Sequence, residues 1–188
     1  MRRLFLSGAA ALLLASCAGP PLTVYTLNVP SAAADGLALG SGAMVIQIVR
    51  VAVPDELDSQ DIVYRNGDIL HRSQVGRWAS RLSLGITDRL TERLAARRPD
   101  ALVTDQPLAD AAAYRVLINI SRLDVTAAGT ATLEANWTVV PRDAAKPVLR
   151  DRVRLTANGP VATDQDVVAL VGGLLDRLAA AIDVTGLR

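Results

Sequence analysis

The most regular alternation of apolar and polar side chains lies in the second half of the chain. Leu133, Ala135, Trp137 and Val139 alternate with Thr132, Glu134, Asn136 and Thr138. Successive side chains on a strand point to opposite faces, so this segment predicts a strand with one dry and one wet face. Tyr114 to Val125 places Val116, Ile118 and Ile120 at the same spacing. Val148 to Ala157 sets Leu149, Val153 and Leu155 against Arg150, Arg152 and Arg154. Ala127-Ala128-Gly129 and Asp143 to Lys146 supply the turns, so the three segments predict a meander with one face in water.

Upstream the pattern differs. Met44 to Val53 is β-branched and apolar on nearly both faces, which predicts a central strand, and Pro54 stops it. Ile62 to Arg65 and Ile69 to Arg72 flank Asn66-Gly67-Asp68, a hairpin signal because Asn-Gly tolerates positive φ. Ala101 to Asp105 is a short strand candidate. Thr23 to Leu27 has strand-like residues inside a region otherwise rich in Ala, Gly, Pro and Ser.

Two stretches change period. Between Gln74 and Arg98, Trp78, Leu82, Ile86, Leu90 and Leu94 recur every fourth residue, supported by Val75 and Ala79. This predicts an amphipathic helix about 35 Å long, with Ser73 as its cap and Pro99 as its stop. Thr163 with Asp166 reads as a second helix start, and Val167, Leu170, Val171, Leu174, Leu175, Leu178 and Ile182 carry that helix to about Asp183. Gly172-Gly173 weakens its middle by about 1 kcal/mol per Gly relative to Ala. Close packing against the sheet accounts for the pair. Two one-sided helices need a surface to cover. The expected fold is therefore α+β, an α/β sandwich in which a mixed β-sheet carries both helices on one face.

The first residues carry a different message. Arg2 and Arg3 precede an apolar run from Leu4 to Ala15, and Leu14-Ala15-Ser16-Cys17 ends it with the only cysteine of the chain. The run suits a secretory signal and falls short of the roughly 20 residues needed to span a bilayer. Read as a lipobox, it makes residues 1–16 a removed signal and Cys17 the lipidated first residue. Residues 17–42 then form a tether and residues 43–188 a single globular domain. One acyl chain holds a protein only reversibly, whereas the two or three chains of a bacterial lipoprotein anchor it durably. Ala18, rather than Asp, follows the cysteine and favours the outer membrane over the inner.

Charge narrows the partners. The 188 residues carry a formal net charge of +1. That gives no electrostatic case for nucleic acid. No continuous polybasic segment exists to hold anionic lipid, so the anchor must do so.

Catalytic chemistry finds little support. His71 is the only histidine and sits in the second hairpin arm. Without a second His or a free Cys there is no zinc set. Asp55, Glu56, Asp58 and Asp61 cluster without calcium-loop spacing and read as a solvated loop. Ser41, in Gly40-Ser41-Gly42, is not a nucleophile elbow. The Arg150, Arg152 and Arg154 row suits a solvated or guarded edge, with lipid headgroups or an acidic partner as the alternative. Neither a cofactor nor a metal site is expected.

Several features occur together: Tyr25-Thr26-Leu27 after the lipobox, the apolar strand closing at Val53-Pro54, Leu57-Asp58, Ile62-Val63-Tyr64-Arg65, and Arg77-Trp78-Ala79 followed by Leu82. In these the chain resembles the ABC-type transport auxiliary lipoproteins, the PqiC-like subunits that accompany MCE-protein lipid transporters. Ser80-Arg81 departs from the acidic residue and proline often found after the Trp-Ala of relatives. The resemblance implies a non-enzymatic, periplasm-facing lipoprotein beside an ATPase, a permease and an MCE subunit, which together move phospholipid or other hydrophobic molecules between membranes. Its signature residues are Arg77 and Trp78. Trp78 is expected in the core and Arg77 is the candidate partner contact. Self-association stays open, as does a free-standing lipid-binding lipoprotein; an envelope hydrolase is the least favoured.

Overall fold

The computed structural model of the protein describes residues 21–27, 39–40, 42–108 and 111–188. Its strands are β1 (Thr23–Tyr25), β2 (Met44–Ile48), β3 (Asp61–Asn66), β4 (Ile69–Trp78), β5 (Ala101–Thr104), β6 (Tyr114–Val125), β7 (Thr130–Pro141) and β8 (Leu149–Asn158). The helices are α1 (Leu82–Ala96) and α2 (Asp164–Ala181). The arrangement is mixed α+β, with two sheets, two helices and no closed barrel.

The larger sheet has the order β5-β2-β6-β7-β8. β2 is interior and runs parallel to both neighbours, as its two-sided apolar sequence requires. The β6-β7-β8 meander is antiparallel, and β7 turns Leu133, Ala135, Trp137 and Val139 inward as expected, although Thr132 on its other face is buried too. β2 ends at Ile48, but the chain stays beside β6 as far as Ala52, whose amide donates to Ile118 at 3.0 Å.

A single sheet was expected, and two are present. The hairpin β3-β4 forms a separate sheet with β1, in the order β1-β4-β3. Local alternation defines a strand but not its partner. The two sheets meet at one parallel bridge, Arg65 to Thr126. β1 confirms the strand expected near Thr23, and Leu27 just after it is buried. β1 lies inside residues 17–42, the stretch expected to act as a tether.

The first helix also differs from expectation. It starts at Leu82, not near Gln74, and is 15 residues long, about 22 Å. The residues up to Trp78 continue β4. Their amides are taken by strand partners: Trp78 donates to the Gln60 carbonyl at 2.7 Å and Ala79 to that of Tyr25 at 2.7 Å. Ser73 caps no helix. Its hydroxyl accepts from the Gly76 amide at 2.8 Å and donates to Asp164 Oδ2 at 2.7 Å, joining β4 to the start of α2.

Both helices cover one face of the five-stranded sheet. Ile86, Leu90 and Leu94 of α1 and Leu174, Leu175 and Leu178 of α2 are fully buried with Ile46, Ile48, Val116 and Leu133 of the sheet. α2 opens with the expected capping box, in which Thr163 Oγ1 accepts from the Asp166 amide and Asp166 Oδ2 accepts from the Thr163 amide. Gly172 has a different neighbour from the one expected. A β-carbon there would lie 3.3 Å from Arg89 Nη2, so the close approach is to α1 rather than the sheet, while Gly173 faces open space.

Candidate docking surface

Cys17 and Ser41 lie outside the described residues. Arg77 is near the end of β4, where it does more for the fold than a contact residue needs to. Its Nη1 donates to the carbonyls of Ser73 and Gly76, both at 2.7 Å, and its Nε lies 3.2 Å from Asp61 Oδ1. Arg72 holds the other Asp61 oxygen at 2.8 Å. Trp78 is buried, as expected, but at the end of a strand.

The acidic cluster after β2 separates into structural roles. Asp58 Oδ1 accepts the Ser83 amide at 3.0 Å and so caps α1 from outside, a role that Arg81 at the cap position does not fill. Asp58 Oδ2 lies 3.5 Å from Arg50 and 3.7 Å from Arg81. Burial pushes the Asp58 carboxyl up, but the Ser83 hydrogen bonds and the two guanidinium charges outweigh it and hold the group below the usual carboxylate range. His71 stacks on Tyr64 with ring centroids 5.2 Å apart. No group of three or more His, Cys, Asp or Glu suited to a metal occurs among the described residues.

The apolar seam between hairpin and core, lined by Leu57, Val63, Leu70, Trp78, Leu123 and Val171, encloses only about 20 Å³. That is room for about one water.

The opposite face of the large sheet is open. Arg115, Leu117 and Asn119 of β6 point outward and are exposed, as are Asn136 of β7 and Arg150, Arg152 and Arg154 of β8. The register sets Arg150 beside Thr138, Arg152 beside Asn136 and Arg154 beside Glu134. A bulge between Ile120 and Arg122 turns Arg122 to the same side, opposite Glu134. Sequence reasoning found the β8 row but not the β6 arginines that extend it, because only the strand register unites them.

A family model described as the ABC-type transport auxiliary lipoprotein component matches residues 25–183. The chain belongs to this family. Tyr25, Val53-Pro54 and Arg77-Trp78, which carry the resemblance in the sequence, all fall within the matched span. A comparison with curated proteins finds no match. Among solved structures, an uncharacterised protein superposes with a TM-score of 0.68 at 16% identity, over 86% of this chain and 96% of that one. A Xanthomonas campestris protein of the DUF330 family model superposes with a TM-score of 0.62 at 17% identity, over 85% and 91%. Both share the fold of this auxiliary lipoprotein. No helix among its described residues is long and apolar enough to cross a membrane.

Proposed function

We propose that the protein is a non-enzymatic, membrane-anchored subunit of an ABC/MCE-type transporter moving phospholipid or other hydrophobic molecules between envelope membranes. Acyl chains on Cys17 hold the body at a bilayer, the outer membrane by preference, and its surface docks the MCE subunit and the permease–ATPase complex. The observation that carries this reading is the family match over residues 25–183, directly downstream of a lipobox-like Leu14 to Cys17. The short interval between Cys17 and Thr23 supports close apposition: six residue steps span at most about 20 Å.

The test is purification of the full chain from native membranes, with its companions identified by mass spectrometry. An ABC permease, its ATPase and an MCE subunit are expected together with it. A native transporter complex isolated intact without this chain would contradict the reading.

A further inference from the structure

The arginines of the open sheet face are far apart in sequence and adjacent in the fold. Arg150, Arg152 and Arg154 are spaced by two residues along β8, about 7 Å apart. Arg115 and Arg122 lie two strands away on β6, roughly 10 Å across the sheet. One carboxylate, Glu134, stands among them, 3.4 Å from Arg154 and 3.8 Å from Arg122. Asp124, buried beneath, takes Arg122 at 3.1 Å and Arg65 at 2.8 Å. Arg115, Arg150 and Arg152 have no ion-pair partner among the described residues. The result is a basic field, hollowed near Glu134, Asn136, Arg152 and Arg154, with too few acids to balance it. Its centre is uncharged: Asn119, Asn136 and Thr138, with exposed Leu117 and Leu102 toward β5. Arginine around a less charged centre is a composition found at protein interfaces.

The fold also orients this field. The amino-terminal segment joins the body on the helix layer. The Leu27 side chain lies against the position of Gly85 of α1, and the Leu27 carbonyl accepts from Arg89 of the same helix. The arginine field occupies the opposite side of the large sheet. An anchor at Cys17, about 20 Å or less from Thr23, would favour an orientation with the helix side toward its bilayer and the arginines away from it.

From the charge imbalance and this opposition of sides, we infer that the outer face of β6-β7-β8 is the docking surface for an acidic protein surface of the transporter. The inference rests on the transporter reading above and names the surface it uses. Opposed charge across such a face steers association and fixes register, and reversing it places like charges in contact.

The test compares three full chains in native membranes: wild type, the triple variant Arg150→Glu, Arg152→Glu, Arg154→Glu, and the charge-keeping triple Arg150→Lys, Arg152→Lys, Arg154→Lys. Circular dichroism and thermal melting check that each is folded, and the permease, ATPase and MCE subunit that co-purify are quantified. The Glu triple is expected to retain less than about one tenth of the wild-type yield of these components. The Lys triple should retain most of it, and the wild-type yield should fall with rising salt. Equal yields from wild type and a folded Glu triple would overturn the assignment while leaving the transporter reading intact. Absence of all transporter components from the wild-type preparation would instead overturn the transporter reading, and the assignment with it.

Two further measurements separate other occupants. A fluorophore on Asn136→Cys that is shielded by phosphatidylglycerol vesicles but not by phosphatidylcholine vesicles would give the face to lipid and overturn the proposal. A wild-type oligomer that the Glu triple dissociates would give it to a second copy.

Discussion

Arg89 of α1 and Asp176 of α2 form a two-pronged ion pair, with Nη2 2.8 Å from Oδ2 and Nε 3.0 Å from Oδ1. Arg93, one turn later, takes the same carboxylate at 2.8 Å. The pair clamps the two helices whose other sides form the core. The Arg89 side chain is only 10% exposed, against 40% for Asp176. Asp176→Asn thus strands a nearly buried guanidinium, which is costlier than losing a surface bridge. About 2 kcal/mol of destabilisation is expected after allowing for the exposure of the aspartate, measured by urea unfolding at neutral pH.

The same clamp has a pH signature. Burial pushes the Asp176 carboxyl up, but the hydrogen bonds and charges of Arg89 and Arg93 prevail and lower it. A carboxyl lowered in the folded state adds stability above its unfolded value near 3.8, and loses that contribution as pH falls through the folded value. The difference in stability between wild type and Asp176→Asn should therefore shrink on going from pH 7 to below pH 3. An unchanged difference across that range would contradict the clamp.

Asp88 behaves in the opposite sense. Partial desolvation, together with the charge of Asp105 and a hydrogen bond to it, raises its carboxyl. A raised group favours the folded state at pH below its unfolded value, and that contribution is lost as pH rises through the folded value. Asp88→Asn is expected to stabilise the protein at pH 7 and to have no effect near pH 3. The gain should be below about 1 kcal/mol because the residue is exposed. Paired thermal melts at the two pH values check both the sign and the size.

The two adjacent glycines of α2 should separate cleanly. Gly173 faces open space, so Gly173→Ala gains the helix propensity difference of about 1 kcal/mol. At Gly172 the new methyl meets Arg89 Nη2 at 3.3 Å and pushes the guanidinium that Asp176 holds. Gly172→Ala should gain less than Gly173→Ala or be destabilising. Equal gains in chemical denaturation would show that the Arg89 clamp yields freely.

Much of the fold is legible in the residues, for reasons that differ by element. β7 has one wet face, so its alternation is plain, and the capping box of α2 is visible in Thr163 and Asp166. The end of β4 hides itself. Its buried inward positions are Gly76 and Trp78, and a glycine leaves no apolar mark. Val75, Trp78 and Leu82 meanwhile mimic helical spacing by coincidence. Pairing is a further layer that local pattern does not contain: nothing in Thr23 to Tyr25 says that it lies parallel to Gly76–Trp78. The candidate site divides the same way. The Arg150 row stands in the sequence, but Arg115 and Arg122 join it only through the β6-β7-β8 register.

Attachment of this body to a membrane through Cys17 is tested most directly by intact-mass analysis of the full chain extracted from native membranes. The prediction is a chain beginning at Cys17 and heavier by its acyl groups. A free Cys17 thiol, or an amino terminus elsewhere, would contradict it.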